Sequence, residues 1–424
     1  MEQHALNPIP KNERRSWYNI ALIWAGAMIC VSSLMVGGAI VQGMPILKAI
    51  AAGAIGYTII IVFMTFQGMQ GSDLGVPTVV VSSSAFGREG ARFIISTILA
   101  VSTIGWFGVQ ANVAGSAFSQ IINLWLGINI PVWLSGLLWG IIMLTTAVYG
   151  FRALEFLNYI AIPSLIILSL WGLAKIFSSY GMTNIINYVP KENYSWSYAI
   201  GLSVGGFAVG GVIAADFSRY ANNRKDAMLS GFVGVWPTGV FLLIVGVLLT
   251  VVSGTYDITI AVTKLGLGFI GAVILVLATW TTNTVNAYSG GLAIINLFKM
   301  KNELRPLMTF IAGAVGTVLA VMGFLNYFTS FLTLLTAGIP PIAGSMIADY
   351  WILKKGNKKL WESEITDINW AGIISWILGF LAAMFLKTGI SAINGIIISM
   401  ISYLVLYYPL KAYKTKTATN FKEV

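Results

Sequence analysis

Unbroken apolar runs, each about twenty residues long, constrain this chain more than any other feature. A helix needs about 20 apolar residues to cross the roughly 30 Å hydrocarbon core of a bilayer. About twelve such runs, bounded by charges or Gly/Pro breaks, lie near 17–43, 46–70, 92–122, 131–150, 155–178, 196–219, 227–253, 265–298, 306–323, 325–352, 369–387 and 389–410. Of 424 residues, 57% are hydrophobic and 9% charged. Soluble domains carry about 25% charged residues, so a soluble fold, a coiled coil and a disordered chain are excluded. A transmembrane barrel is excluded too, because its strands alternate apolar and polar residues over about ten positions. A single cysteine, Cys30, gives no disulfide framework. No cleavable signal peptide is evident, since the first run is too long for a signal-peptide core. The expected fold is all-α and polytopic, with 12 transmembrane helices.

Charge placement tests this map. With the N-terminus inside, the inner segments hold Lys11, Arg14, Arg15, Arg88, Arg92, Arg152, Arg219, Arg224, Lys225, Lys299, Lys301, Arg305, Lys354, Lys355, Lys358, Lys359, Lys411, Lys414, Lys416 and Lys422. The outer segments hold Lys48, Lys175, Lys191, Lys264 and Lys387. That split of twenty to five covers all 25 basic residues and predicts cytoplasmic termini in a cell-membrane protein. It also accounts for the net charge of +10 without a nucleic-acid partner. The longest polar pieces are the tails 1–16 and 411–424 and the loops 71–91 and 353–368. None is long enough to fold alone, so the chemistry belongs to the helices.

Two spans share a defect. Ser32-Ser33-Leu34-Met35-Val36-Gly37-Gly38 interrupts the first, and Gly205-Gly206-Phe207-Ala208-Val209-Gly210-Gly211 interrupts the sixth. Glycine costs about 1 kcal/mol against alanine inside a helix, and unwound backbone at membrane depth survives only beside protein or a watery cavity. Five spans separate the two, so these helices run in opposite directions. The pattern predicts a five-plus-five inverted repeat, with a ligand site at the broken helices. The repeats are expected at 17–178 and 196–352, with two extra helices at 369–410. Close helix packing through small residues is the competing reading.

The third and eighth spans correspond in the two repeats, and both carry polar groups. Thr103 opens the polar stretch of the third. Trp106 and Gln110 lie four apart, on one helix face. An indole can stack on a flat heteroaromatic ligand, and an amide can donate to and accept from its edge. An interhelical hydrogen bond for Gln110 and core packing for Trp106 are the alternatives. The eighth span holds the most polar stretch, Ala278-Thr279-Trp280-Thr281-Thr282-Asn283-Thr284-Val285-Asn286. Ala278, Thr281 and Thr282 share a face. Their oxygens, with carbonyls of the first helix, would form a cage for a hard monovalent cation; threonines that only bond back to the preceding turn are the alternative. No ionisable residue falls near the middle of a span. That favours sodium over proton coupling and leaves no base for an intramembrane hydrolase.

Several motifs carry a family resemblance. Gly105-Trp106-Phe107-Gly108-Val109, Ala215-Asp216-Phe217-Ser218-Arg219-Tyr220, Trp280-Thr281-Thr282-Asn283, and Ala337-Gly338-Ile339-Pro340-Pro341-Ile342-Ala343-Gly344 through Ile347-Ala348-Asp349-Tyr350 resemble the bacterial cytosine permeases of the nucleobase:cation symporter family, which has the LeuT-type fold. The similarity runs from about residue 17 to 410. It implies cation-coupled uptake of a nucleobase or related heterocycle, held between the third, sixth and eighth helices. It further implies that Trp106 stacks on the base and Phe207 opposes it. Gly206 offers backbone beside the ring, and Asn283 bonds its edge; Asn286, one turn on in the same polar stretch, is a further candidate for substrate contact. Ala27, Cys30, Ala278, Thr281 and Thr282 match its sodium site. The resemblance implies no cofactor besides that coupling ion. Cytosine permeases tend to carry Gln at Thr103, Ser at Gly206 and Val209, and Asp-Asn at Thr284-Val285, whereas Gln110 matches hydantoin and purine-type relatives. The expected function is sodium-coupled import of a pyrimidine or purine. The alternatives are a proton-coupled permease for a purine or a thiamine-precursor pyrimidine, and a passive facilitator.

Overall fold

The computed structural model describes residues 7–149, 151–180, 185, 187–363 and 365–420. Among these, nine helices are long and apolar enough to cross a bilayer, or ten if the bent pair Trp17–Met28 and Val31–Val41 is one span. Two shorter apolar helices, Trp196–Val212 and Trp370–Phe385, stand where the sequence puts the sixth and eleventh spans. The chain therefore runs α1 (Trp17–Met28) and α2 (Val31–Val41), α3 (Ile46–Leu74), the short α4 (Thr78–Val81) and α5 (Ser83–Phe86), α6 (Arg88–Leu126), α7 (Val132–Tyr149) and α8 (Phe151–Ser179). It continues with α9 (Trp196–Val212), α10 (Ala214–Ser218), α11 (Arg224–Ser253), α12 (Ile258–Lys264), α13 (Gly268–Phe298) and α14 (Arg305–Val321). The last elements are α15 (Phe328–Gly338), α16 (Pro340–Ile347), α17 (Lys358–Ser363), α18 (Trp370–Phe385) and α19 (Ser391–Asn420).

Packing sorts these helices into two groups. The first, second, sixth and seventh spans pack on one another: α11 against α1, α2 and α3, and α9 against α3. The third, fourth, eighth and ninth form the other group, with α6, α7, α13 and α14 in mutual contact. Each group takes the same members from each half of the sequence, which is what a repeated five-helix unit produces. A short helix also recurs at equivalent places, α4–α5 between the second and third spans and α12 between the seventh and eighth.

The defect in the first span lies elsewhere than the glycines suggest. The helix bends by 61° between α1 and α2, at Ile29 and Cys30, and Ser32–Gly38 is helical and buried. A Cβ at Gly37 would overlap the Leu243 carbonyl, and one at Gly38 the Thr250 hydroxyl. These glycines let α2 lie against α11. The competing reading, small residues for close packing, therefore holds for the first span. In the sixth span the break falls where expected: Phe207 has non-helical angles (φ −141°, ψ 15°) inside α9, and the helix stops at Ile213.

The segment 71–91 is not an exposed loop. The second span runs to Leu74, Gly75 and Gly87 turn the chain with φ of 73° and 80°, and α4–α5 fold between them, largely buried. Ser83 Oγ donates to the Val80 carbonyl at 2.6 Å, and Trp361 Nε1 donates to the Val81 carbonyl at 3.1 Å. Serine hydroxyls that bond back to their own turn make such a polar sequence compatible with burial.

Candidate functional site

Where the two helix groups meet, the bend at Ile29–Cys30 faces the third and eighth spans. Ile29 N bonds Ala25 O, Cys30 N bonds Met28 O at 2.9 Å, and Ser33 closes the break through its N to Cys30 O and its Oγ to Met28 O at 2.7 Å. The Ala27 carbonyl lies outside that set, and Ala27 is exposed. Across the seam, Thr281 Oγ1 and Thr282 Oγ1 both donate to the Ala278 carbonyl, at 3.0 and 2.9 Å. The eighth span packs on the third, fourth, fifth and ninth, and meets α2 of the first. The residues expected to cage sodium are thus divided between two spans, Ala27 and Cys30 at the bend of the first and Ala278, Thr281 and Thr282 on the eighth. In this conformation the two threonines bond back to their own helix.

The third span brings Trp106 and Gln110 to the same seam. Gln110 is 1% exposed. Its Nε2 makes a long bond, 3.5 Å, to Ser32 Oγ at the start of α2, and its buried Oε1 has no partner among the described residues. Ser32 and Ser33 also lie 3.2 Å from Cys30 Sγ. Trp106 is half-buried and braced edge-on by Phe331 and Phe328 of the tenth span, at 5.3 and 6.2 Å between ring centroids. Phe207 is half-buried at the break in α9 and packs edge-on to Trp24 of α1 at 6.1 Å. A Cβ on its neighbour Gly206 would sit 2.8 Å from Val36. The two rings expected to sandwich a ligand are held from different helices, Trp106 by the tenth span and Phe207 by the first.

Three predicted polar residues sit inside the second helix group. Asn283 is wholly buried. Its Nδ2 donates to the Phe107 carbonyl at 2.9 Å and lies 3.2 Å from Met143 Sδ, and its Oδ1 accepts from Asn286 at 3.2 Å. The amide expected at the ligand's edge is therefore engaged in joining the third, fourth and eighth spans, and the half-buried Asn286 is the amide beside it. Thr103 Oγ1 bonds back to Leu99 O at 2.6 Å.

Ser32, Phe328 and Phe331 were not among the residues singled out from sequence. Ser32 was visible only as part of a helix defect, and the two phenylalanines only as ordinary apolar residues. Asp257, between the seventh and eighth spans, caps α12 by accepting from Thr259 N at 2.9 Å and accepts from Ser116 of the third span at 3.3 Å. Burial raises its pKa. At the opposite end, Glu89 is held below the usual carboxylate range by its hydrogen bond from Lys299, and also pairs with Arg92.

The chain superposes on the inward-facing conformation of Mhp1 with a TM-score of 0.84 and 20% identity, covering 98% of this chain and 96% of that one. Against Mhp1, a nucleobase-cation-symport-1 family transporter, closed with bromovinylhydantoin bound, the TM-score is 0.78 at the same coverage and identity. This is the LeuT-type fold of two inverted five-helix repeats plus two further helices. Residues 8–406 match the model of the family described as permeases for cytosine/purines, uracil, thiamine and allantoin. The chain is also 30% identical to the cytosine permease of Escherichia coli (strain K12), over 98% of this chain and 96% of that protein. It belongs to that permease family.

Proposed function

We propose that this protein imports a nucleobase-like heterocycle, a pyrimidine or purine, by sodium symport with alternating access. The observation that carries the reading is Gln110: a buried amide with one end on Ser32 and the other unpaired, one turn from the half-open indole of Trp106. A buried polar atom without a partner costs about 1–3 kcal/mol, so a ligand whose edge completes the amide recovers that loss. The ring rests on Trp106, Phe207 closes the opposite side, and Gly206 lends backbone. Asn283 and Asn286 hold the eighth-span wall, with Thr103 below.

Ala27, Cys30, Ala278, Thr281 and Thr282 form the sodium cage when the two helix groups approach. Sodium then joins the first and eighth spans and favours the substrate-ready state, because an ion shifts a conformational equilibrium only by its differential affinity for the two states. Movement of one helix group against the other exposes the ligand inward. The termini lie in the cytoplasm and the protein works in the cell membrane. The buried acid Asp257 is the feature that favours the second reading, proton coupling.

Replacing sodium by choline at fixed pH, in vesicles loaded with a panel of labelled nucleobases, is expected to remove concentrative uptake. Unchanged accumulation in choline overturns sodium coupling, and uptake that never exceeds equilibrium identifies a facilitator. Thr282→Ala is expected to raise the sodium concentration giving half-maximal uptake by roughly tenfold, the equivalent of about 1.4 kcal/mol, with little change at saturating sodium. Gln110→Leu is expected to raise the half-saturating substrate concentration by roughly 5- to 150-fold, since losing a hydrogen bond from a buried amide costs about 1–3 kcal/mol.

A further inference from the structure

The second and seventh spans leave an apolar groove on the membrane face, away from the seam. It encloses about 440 Å³ and is lined by Ile61, Val62, Thr65, Phe66, Met228, Leu229 and Phe232. Its far end is closed by a bridge between the two helices, Trp236 Nε1 donating to Thr58 Oγ1 at 3.0 Å. The Phe232 ring lies stacked against Trp236 at 6.0 Å. Its near end opens at the start of α11. Lys225, Met228, Leu229 and Phe232 fall at i, i+3, i+4 and i+7 of that helix, so they share one face. Lys225 is exposed and has no ion-pair partner among the described residues. The neighbouring Arg224 is already committed: its guanidinium holds Asp73 at 2.7 Å and lies 4.9 Å over the Trp351 ring.

We propose that this groove binds one anionic phospholipid, its acyl chain along Met228–Phe232 and its phosphate on Lys225. The dimensions fit one leaflet. From Lys225 to Trp236 is eleven residues, about 16 Å at 1.5 Å per residue, against about 15 Å for half of the hydrocarbon core. The chemistry fits one lipid class. A helical side chain leans toward its N-terminus, so the Lys225 ammonium leans out of the apolar zone. It does so at the basic-rich end of the bundle, and a lysine near an anionic leaflet gains about 1 kcal/mol. The bound lipid fills the gap between two members of one helix group and leaves the seam free.

Native mass spectrometry of the full-length protein, exchanged into equal mixtures of phosphatidylglycerol and phosphatidylcholine, tests this. The wild type is expected to retain one phosphatidylglycerol in preference to phosphatidylcholine. Lys225→Gln is expected to cut that preference about fivefold, the equivalent of about 1 kcal/mol. Val62→Trp, on an exposed lining position, is expected to abolish retention of both lipids by filling the groove. Equal retention of the two lipids by the wild type overturns the proposal. So does a preference that survives Lys225→Gln, or retention that survives Val62→Trp. Wild-type melting temperatures for both variants separate loss of the site from loss of the fold.

Discussion

Trp106→Ala is expected to abolish uptake at micromolar substrate. Stacking of a base on an aromatic side chain contributes about 1–3 kcal/mol by alanine substitution, roughly 5- to 150-fold in affinity. The geometry argues for the upper part of that range. Trp106 is fixed by Phe331 and Phe328, edge-on at 76° and 68°, so little side-chain freedom is lost when a ligand docks. Truncation removes the platform and also frees the two phenylalanines that brace it. Trp106→Phe keeps a smaller π-face and is expected to retain part of the activity. Measured substrate affinity, beside the melting temperature of each purified variant, distinguishes loss of the platform from loss of packing. An alanine variant with normal affinity refutes the placement of the ligand on the third span.

The largest effect on stability is expected from a buried ion pair at the basic-rich end of the bundle. Lys354 Nζ lies 2.7 Å from Asp349 Oδ1, with side-chain exposures of 3% and 1%. Tyr403 of the twelfth span donates to Oδ1 at 2.8 Å and Ser84 of α5 to Oδ2 at 2.6 Å. Asn369, which precedes the eleventh span, donates to the Tyr403 hydroxyl at 3.1 Å. One carboxylate therefore gathers the tenth and twelfth spans and, through Tyr403, the approach to the eleventh, together with the short helices after the second. Removing one partner of a buried pair costs about 3–5 kcal/mol, because the remaining charge stays desolvated. Asp349→Asn is expected to lower the melting temperature sharply. Lys354→Met is expected to cost less, since Asp349 keeps its two hydroxyl donors. The double variant Asp349→Leu/Lys354→Met is expected to regain much of the loss, as apolar replacements of buried pairs do. Equal melting of Asp349→Asn and the wild type would show that the network is not structural.

Much of this architecture is legible in the sequence because lipid enforces it. Hydrogen-bond satisfaction forces each apolar run into a helix, so the runs mark the spans. Polar segments inside them, such as Thr281-Thr282-Asn283, mark where a helix faces protein or a cavity. The break in the sixth span was legible for the same reason. That in the first was misplaced, because a glycine pair reads the same whether the chain unwinds there or a neighbour packs close. Gly37 and Gly38 serve close packing against α11, while the bend falls at Ile29 and Cys30, whose side chains carry no break signal. Ser84 and Asp349, 265 residues apart, had no sequence cue linking them, because contact between distant segments follows from tertiary packing.

By itself, then, the sequence determined the class, the spans, the correspondence of its two halves and the polar faces of the third and eighth helices. These follow from periodicity and from the cost of burying polar groups, which are properties of each segment alone. Only the tertiary structure decided which of those polar groups remain available. Asn283 spends its amide on Phe107, the threonines turn to the Ala278 carbonyl, and Gln110 keeps one end unpaired at the seam. The physical reason is competition: each donor and acceptor takes the nearest partner that packing supplies, and a segment's own sequence does not contain its neighbours.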